Sequence, residues 1–341
     1  MTVYNEKKET RELDSVIAEG GEGVVYSVKN TPNAVVKVYK NLSEVKEKYL
    51  SEKIKAQIEM KNLIALENLA WPKMEVYDHE MHWIGFAMRK VEGITLSKIA
   101  HPILYKKYFP ELNRSHITDL MLSIIKVIDA LHKQNVFIGD INPNNILVNK
   151  NTNKASIIDT DSFQIVTGNR KYPCLVGRPE MTPLEHHGKD YSQIDRNAAS
   201  DLFSFAIICF QSFMMGRYPY DNIGGESAVE NLKKGHFPYG NGGVAPGRNG
   251  AIPAGHWYSV WSHLTFKMKT NFIKTFKQGV FNPKERTSLS EWESCLKDYR
   301  YAIDQGFSEN ELNPGYAKEN ISVNGVSDKR NKKEKVKKNK K

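Results

Sequence analysis

Cysteine is scarce in this chain, and what there is carries no pattern. Cys174, Cys209 and Cys295 make an odd count with no metal-ligand spacing, which excludes a disulfide framework and a zinc module and favours a reducing compartment. Long apolar runs are missing too. The longest, Leu202 to Met215 (LFSFAIICFQSFMM), falls short of the roughly 18 residues a membrane helix needs and contains Ser and Gln; it reads as a buried core helix. The opening MTVYNEKKETREL is polar, with no apolar segment of the secretory type, so the expectation is a cytoplasmic protein without a transmembrane segment. A strong charge on the fold is also absent. Of the formal +10, residues 327–341 hold nine Lys/Arg and two Asp/Glu, a net +7, and leave 40 basic against 37 acidic residues elsewhere. Nucleic-acid or anionic-surface binding therefore has a basis only in this tail.

What is present is ample for a core: 341 residues, 40% of them hydrophobic, enough for one large or two ordinary domains. The densest chemistry lies between Val136 and Phe163, VFIGDINPNNILVNKNTNKASIIDTDSF. Asp140 and Asn145 fall on one loop, Ile146 to Val148 and Ala155 to Ile158 read as two strands joined by an Asn-rich turn, and Asp159 follows the second. This folds three groups able to hold a metal or a proton onto one surface. Phosphoryl transfer needs such a set, a carboxylate to orient the attacking hydroxyl and oxygen ligands for hard cations on the phosphates.

The order D-x-x-x-x-N, strand pair, D resembles the catalytic and magnesium loops of the eukaryotic-type protein kinases. The resemblance implies an α+β, bilobal fold with ATP and Mg2+, or Mn2+ in its place, in the cleft. It extends in order from Leu13 to Leu296. LDSVIAEGGEGVVYSV resembles the glycine-rich phosphate loop, with Ala18 for its first glycine and then Gly20, Gly23 and Val25. Lys37, set in the apolar run AVVKVY, resembles the lysine that holds the α- and β-phosphates. The family pairs that lysine with a glutamate on the following helix, here the Lys- and Glu-rich segment Ser43 to Leu66. Glu52 is favoured by its separation of fifteen residues from Lys37, and Glu59 competes through its apolar neighbours Leu63 and Leu66. WIGFAMRKVEGITL resembles the hinge between lobes, with Met88 guarding the back pocket, Arg89 to Val91 as linker, and Leu147 beneath adenine.

By the same resemblance, Asp140 aligns with the residue that orients or deprotonates the substrate hydroxyl, Asn145 and Asp159 align with the metal ligands, and Asp161 adds a further carboxylate. Asp201 aligns with a residue that bonds the catalytic-loop backbone, and Glu185 with a partner of Arg286 in the NPKERTS segment. Several positions depart from the family. Ile138-Gly139 replaces His-Arg before the catalytic Asp, Asn142 replaces a lysine, Asp159-Thr160-Asp161 replaces Asp-Phe-Gly, and Arg178 stands for a threonine. Arg178 is the candidate to bring a cation to the γ-phosphate in place of the lost lysine.

The expected layout is residues 1–12 as an extension, 13–92 as a β-rich N-lobe, 93–300 as a helical C-lobe, and 301–341 as a polar, Lys-rich tail that is disordered. The favoured activity is transfer of the ATP γ-phosphate to Ser or Thr hydroxyls of a protein substrate; the alternative is a pseudokinase that binds ATP as a scaffold. GDINPNNILV and IDTDSFQI resemble a divergent bacterial branch of eukaryotic-like kinases, which implies phosphatase or von Willebrand-type partner proteins.

Overall fold

β-branched residues on either side of tight turns build the first third of the chain into a single curved sheet. The computed structural model describes residues 1–240 and 250–313. Strands β1 (Thr2–Tyr4), β2 (Thr10–Glu19), β3 (Gly23–Val28), β4 (Thr31–Tyr39), β5 (Pro72–Tyr77) and β6 (Trp83–Arg89) close an antiparallel barrel in the order β1-β2-β3-β4-β6-β5. The opening residues, expected as an extension, belong to this sheet. β1 pairs with both β2 and β5, and Val3 is buried with Leu13, Val28, Val36 and Val76.

Between β4 and β5 runs α1 (Glu44–Glu59), started by Ser43, whose hydroxyl accepts from the Lys46 amide, with Glu44 and Glu47 in its first turn. Those acids suit the positive end of the helix, and the cap is worth about 1 kcal/mol. A single turn, α2 (Lys61–Ile64), follows it.

Beyond β6 the chain turns helical. β7 (Ile94–Thr95) and the single turns α3 (Leu96–Ile99) and α4 (Tyr105–Tyr108) lead to α5 (Arg114–His132), which opens on a reciprocal cap between Asn113 and His116. β8 (Val136–Phe137), β9 (Ile146–Asn149), β10 (Lys154–Ile157), β11 (Gln164–Thr167) and β12 (Arg170–Tyr172) form two small sheets, ordered β10-β9-β7 and β12-β11-β8. The β9–β10 hairpin lies where the Asn-rich turn placed it.

α6 (Ala198–Phe213) is buried on every side, as its continuous apolar run requires. Phe203, Phe205 and Phe210 pack edge-on against Phe276, Trp292 and Phe272. α7 (Ala228–Lys233), α8 (Trp257–Ser262), α9 (Phe266–Ile273) and α10 (Leu289–Asp304) complete the helical part. A β-rich first part and a helical second part realise the expected α+β class.

Packing continues past residue 300. Asn310 accepts from the Arg114 amide through its carbonyl and from the Ser115 amide through its side chain, and Leu312 is buried. The Lys-rich end expected to be disordered, and residues 241–249 in the Gly/Pro-rich stretch of sequence from 236 to 255, lie outside the described residues. No described helix is long and apolar enough to cross a membrane.

Candidate active site

The chemistry gathers in a cleft of about 790 Å³ between the barrel and the helical part. Its roof is the β2–β3 turn with Gly20, Gly23 and Val25; its back is Val35, Ala70 and Met88; its rim is Arg89 to Gly93; its floor is Leu147 and Ile158. The sequence reading named Met88, Val91 and Leu147, and missed Val35, Ala70 and Ile158, because an apolar lining residue looks like any core residue. The two named glycines differ in kind. A Cβ on Gly20 would meet nothing within 4 Å, whereas one on Gly23 would lie 2.7 Å from the Val38 carbonyl. Gly23 is therefore needed for the close approach of β3 to β4, and Gly20 leaves open the face a ligand would use.

Lys37 sits on β4 between Val25 and Phe86 in register, which aims its side chain into this cleft. Its Nζ donates to Asp159 Oδ1 at 3.1 Å and to Asp161 Oδ2 at 2.7 Å. Burial alone would push the ammonium down, but the two carboxylates outweigh it and hold the lysine raised. Glu52 does not reach Lys37. It faces outward and pairs with Arg170 at the tip of the β11–β12 hairpin, and Glu59 is exposed. The helical phase explains the difference, since the α1 face that packs inward carries Lys53, Ile54 and Gln57.

Asp159 is in the left-handed region, φ 62° and ψ 39°, a conformation that costs a residue other than glycine on the order of 1 kcal/mol and concentrates at functional sites. That twist directs its carboxylate, 42% exposed, into the cleft. Asp161 is sealed from solvent. Its Oδ2 also accepts from the Tyr39 hydroxyl at 2.6 Å, and its Oδ1 has no hydrogen-bond partner among the described residues. Burial would raise Asp161, but Lys37 overrides it and the carboxyl is held low. Lys53, 3% exposed, makes no hydrogen bond or ion pair among the described residues; burial pushes it down to about 8. Gln57 ties α1 to the loop by donating to the Thr160 carbonyl at 2.8 Å.

Asp140 is half-buried beside the cleft residue Asn145. Its Oδ2 accepts from Asn142 at 2.9 Å and from Asn145 at 3.5 Å, and its Oδ1 is buried without a hydrogen-bond partner among the described residues. Burial raises its pKa, Arg178 opposes that rise, and Asp159 adds to it. Arg178 is exposed, close enough for its charge to be felt at Asp140, with no hydrogen bond from its guanidinium among the described residues.

The loop beneath Asp140 is pinned from below. The buried Asp201 accepts from the Ile138 and Gly139 amides, both at 2.9 Å, and meets His132 Nε2 at 2.9 Å. Glu185 and Arg286 form a two-pronged pair, 2.7 Å on each prong.

Arg196 was not anticipated. It is 2% exposed, bonds the Val176 carbonyl and His186 Nδ1, and lies over the Tyr191 ring. A Cβ on Gly139, at φ 72°, would collide with Cys174 and crowd Arg196. These residues occupy the space of the side chain that Gly139 lacks. His186 is buried beside Arg196. Burial, then the Arg196 charge, lowers it to about 4, leaving it a neutral acceptor at pH 7.

The donor set suits a hard divalent cation. With its amide nitrogen turned to Asp140, Asn145 offers its oxygen to the cleft beside the open carboxylate of Asp159. Among the described residues no three His, Cys, Asp or Glu side chains form a metal cage. Two oxygen ligands with room for phosphate oxygens and water are what Mg2+ in a nucleotide site requires.

Residues 11–246 match the family described as protein kinase domain. Among solved structures the chain is similar to the autoinhibited serine kinase domain of the giant muscle protein titin, at 14% identity and a TM-score of 0.62, covering 85% of this chain and 81% of that one. At that identity the likeness speaks for the fold alone. No curated protein matches the chain in sequence. With more than half of its length matched, the chain belongs to the protein kinase family, which uses ATP and a divalent metal to phosphorylate protein substrates.

Proposed function

We propose that this chain transfers the ATP γ-phosphate to Ser or Thr hydroxyls, with Mg2+ as the metal, through loops that depart from the family pattern. The observation that carries the reading is the convergence of Lys37, Asn145 and Asp159 on one apolar-floored cleft, with Asp140 in contact with Asn145. Lys37 holds the α- and β-phosphates. Asn145 and Asp159 hold the cation, which supplies charge neutralisation at the phosphates. Asp140, half-buried and, among the described residues, hydrogen-bonded on one oxygen only, orients the attacking hydroxyl and takes its proton. A scaffold that only binds ATP has no need of Asp140 or of the network that fixes it. Labelled ATP and Mg2+, offered with the protein alone and with a generic basic protein, test the reading directly; ATP binding without transfer would favour the scaffold.

Arg178 replaces the missing catalytic-loop lysine in part. Its charge reaches Asp140, and its solvent exposure leaves it free to swing onto a phosphate. Arg178→Ala is expected to slow transfer by about a hundredfold, the scale of losing one charge-stabilising donor, with ATP affinity little changed. An unaltered single-turnover rate would remove Arg178 from the reaction.

Phosphorylation of the segment between Asp159 and Glu185 is not required for activity. The segment is tied down without it. β11 and β12 form a hairpin on β8, Arg170 pairs with Glu52, Tyr172 packs at a tilt against Tyr49 with ring centroids 5.8 Å apart, and Arg196 grips the Val176 carbonyl from inside. Protein treated with phosphatase should start turning over without a lag while its own phosphorylation is followed by mass. An inactive preparation rescued by phosphorylation would refute this.

A further inference from the structure

Lys37, assigned to the α- and β-phosphates, is held by two carboxylates two positions apart in the chain, and they are not equivalent. Asp159 is open to the cleft, at 42% side-chain exposure; Asp161 is closed off, at 4%. Asp159 cannot serve a divalent cation and Lys37 together without dividing its charge between them. Asp161 meets no such competitor. Tyr39 stands two residues after Lys37 on β4 and so on the same face of the strand, and both donate to the same Asp161 oxygen, at 2.6 and 2.7 Å. Helix α1 offers no carboxylate to Lys37. Its buried polar residues are Lys53 and Gln57, and Lys53 lies within electrostatic reach of both Asp161 and Lys37.

We propose that Asp161 is the positioning residue for Lys37, doing from the activation segment what the family resemblance assigns to a glutamate on α1, while α1 supplies a cation, Lys53, to the same carboxylate. This rests on the kinase reading of the cleft. It places the coupling between α1 and the nucleotide site in one hydrogen bond, Gln57 on the Thr160 carbonyl, and in the charge of Lys53, which Asp161 feels at longer range.

The test is MgATP affinity by titration calorimetry on the full chain, with thermal melts alongside. Asp161→Asn keeps the shape and removes the charge; affinity is expected to fall about ten- to a hundredfold, as for loss of one charge-assisted hydrogen bond. Because Asp161 acts through Lys37, Asp161→Asn should cost nothing further in a Lys37→Met background. Adding Lys53→Glu to Asp161→Asn returns a carboxylate to the helix face and should recover most of the lost affinity, which a residue with only a structural role would not allow. Binding by Asp161→Asn equal to wild type, additive losses in the Lys37→Met double variant, or a Lys53→Glu double variant that fails to fold or binds no better would each overturn the proposal. Wild-type protein that binds no MgATP would instead end the kinase reading, so the two failures are told apart.

Discussion

Asp159→Asn is expected to reduce phosphate transfer by about a thousandfold or more with the protein still folded. The substitution removes a full negative charge from a side chain assigned to the divalent cation, whose charge stabilisation at a phosphoryl group is worth several kcal/mol, and each 1.36 kcal/mol is about tenfold in rate. Asparagine is the informative replacement because it tolerates the left-handed backbone found at this position. Lys37 keeps its shorter bond to Asp161, so the lysine is not released. Asp140→Asn is the companion. Loss of a general base costs about a hundred- to ten-thousandfold, and an amide oxygen at residue 140 can still accept from Asn142, so the loop geometry survives. Transfer from labelled ATP, ATP binding and melting temperature should be measured on all three proteins. Transfer that persists in both variants would mean the chemistry does not run through this cleft.

Much of this site can be read from sequence, because its parts lie in short segments with distinctive local chemistry. Asp140, Asn145 and Asp159 are brought together by a loop and one hairpin, and the β9–β10 register needs only the alternation of Ile146, Val148, Ala155 and Ile157. Asp201 and the Glu185–Arg286 pair follow from motif order. Legibility ends where position depends on helical phase. α1 has Lys and Glu all round, so nothing local says that Lys53 and Gln57 face inward and Glu52 faces Arg170. A buried lysine there looks like a solvated face until the β11–β12 hairpin is packed against it. Asp161 was grouped with the candidate metal ligands because it lies two residues after Asp159, and only the three-dimensional arrangement shows Lys37 and Tyr39 converging on its carboxylate. Arg196 had no motif at all. Its burial follows from the space that Gly139 leaves, which no neighbour in sequence reports.

Glu185→Gln is expected to destabilise the fold by about 3–5 kcal/mol, the cost of leaving a buried charge without its partner. The Arg286 side chain has no solvent exposure. Beyond the two bonds to Glu185, it donates from Nε to the Gly279 carbonyl at 2.8 Å and from Nη1 to the Ala199 carbonyl at 3.0 Å, and it lies over Phe203. It therefore joins the end of the activation segment to the start of α6 and the loop after α9, and removing the carboxylate strands a guanidinium that cannot turn to water. Arg286→Met with Glu185→Gln should be less destabilised than the two single variants added together, because the double variant buries no unpaired charge. The pair also sets a pH limit. Burial would raise the Glu185 carboxyl, but its bonds to Arg286 outweigh burial and hold it below the usual range. A carboxyl lower in the folded than in the unfolded state adds stability that is complete above its unfolded pKa and disappears as pH falls through the folded one. Wild-type stability should accordingly drop on acidification below the usual carboxylate range more steeply than that of Glu185→Gln, in which this group no longer titrates. Denaturant midpoints from neutral pH downward read both effects. Parallel acid limbs in the two proteins, or a double variant as weak as the sum of the singles, would show that the Glu185–Arg286 link does not hold these segments together.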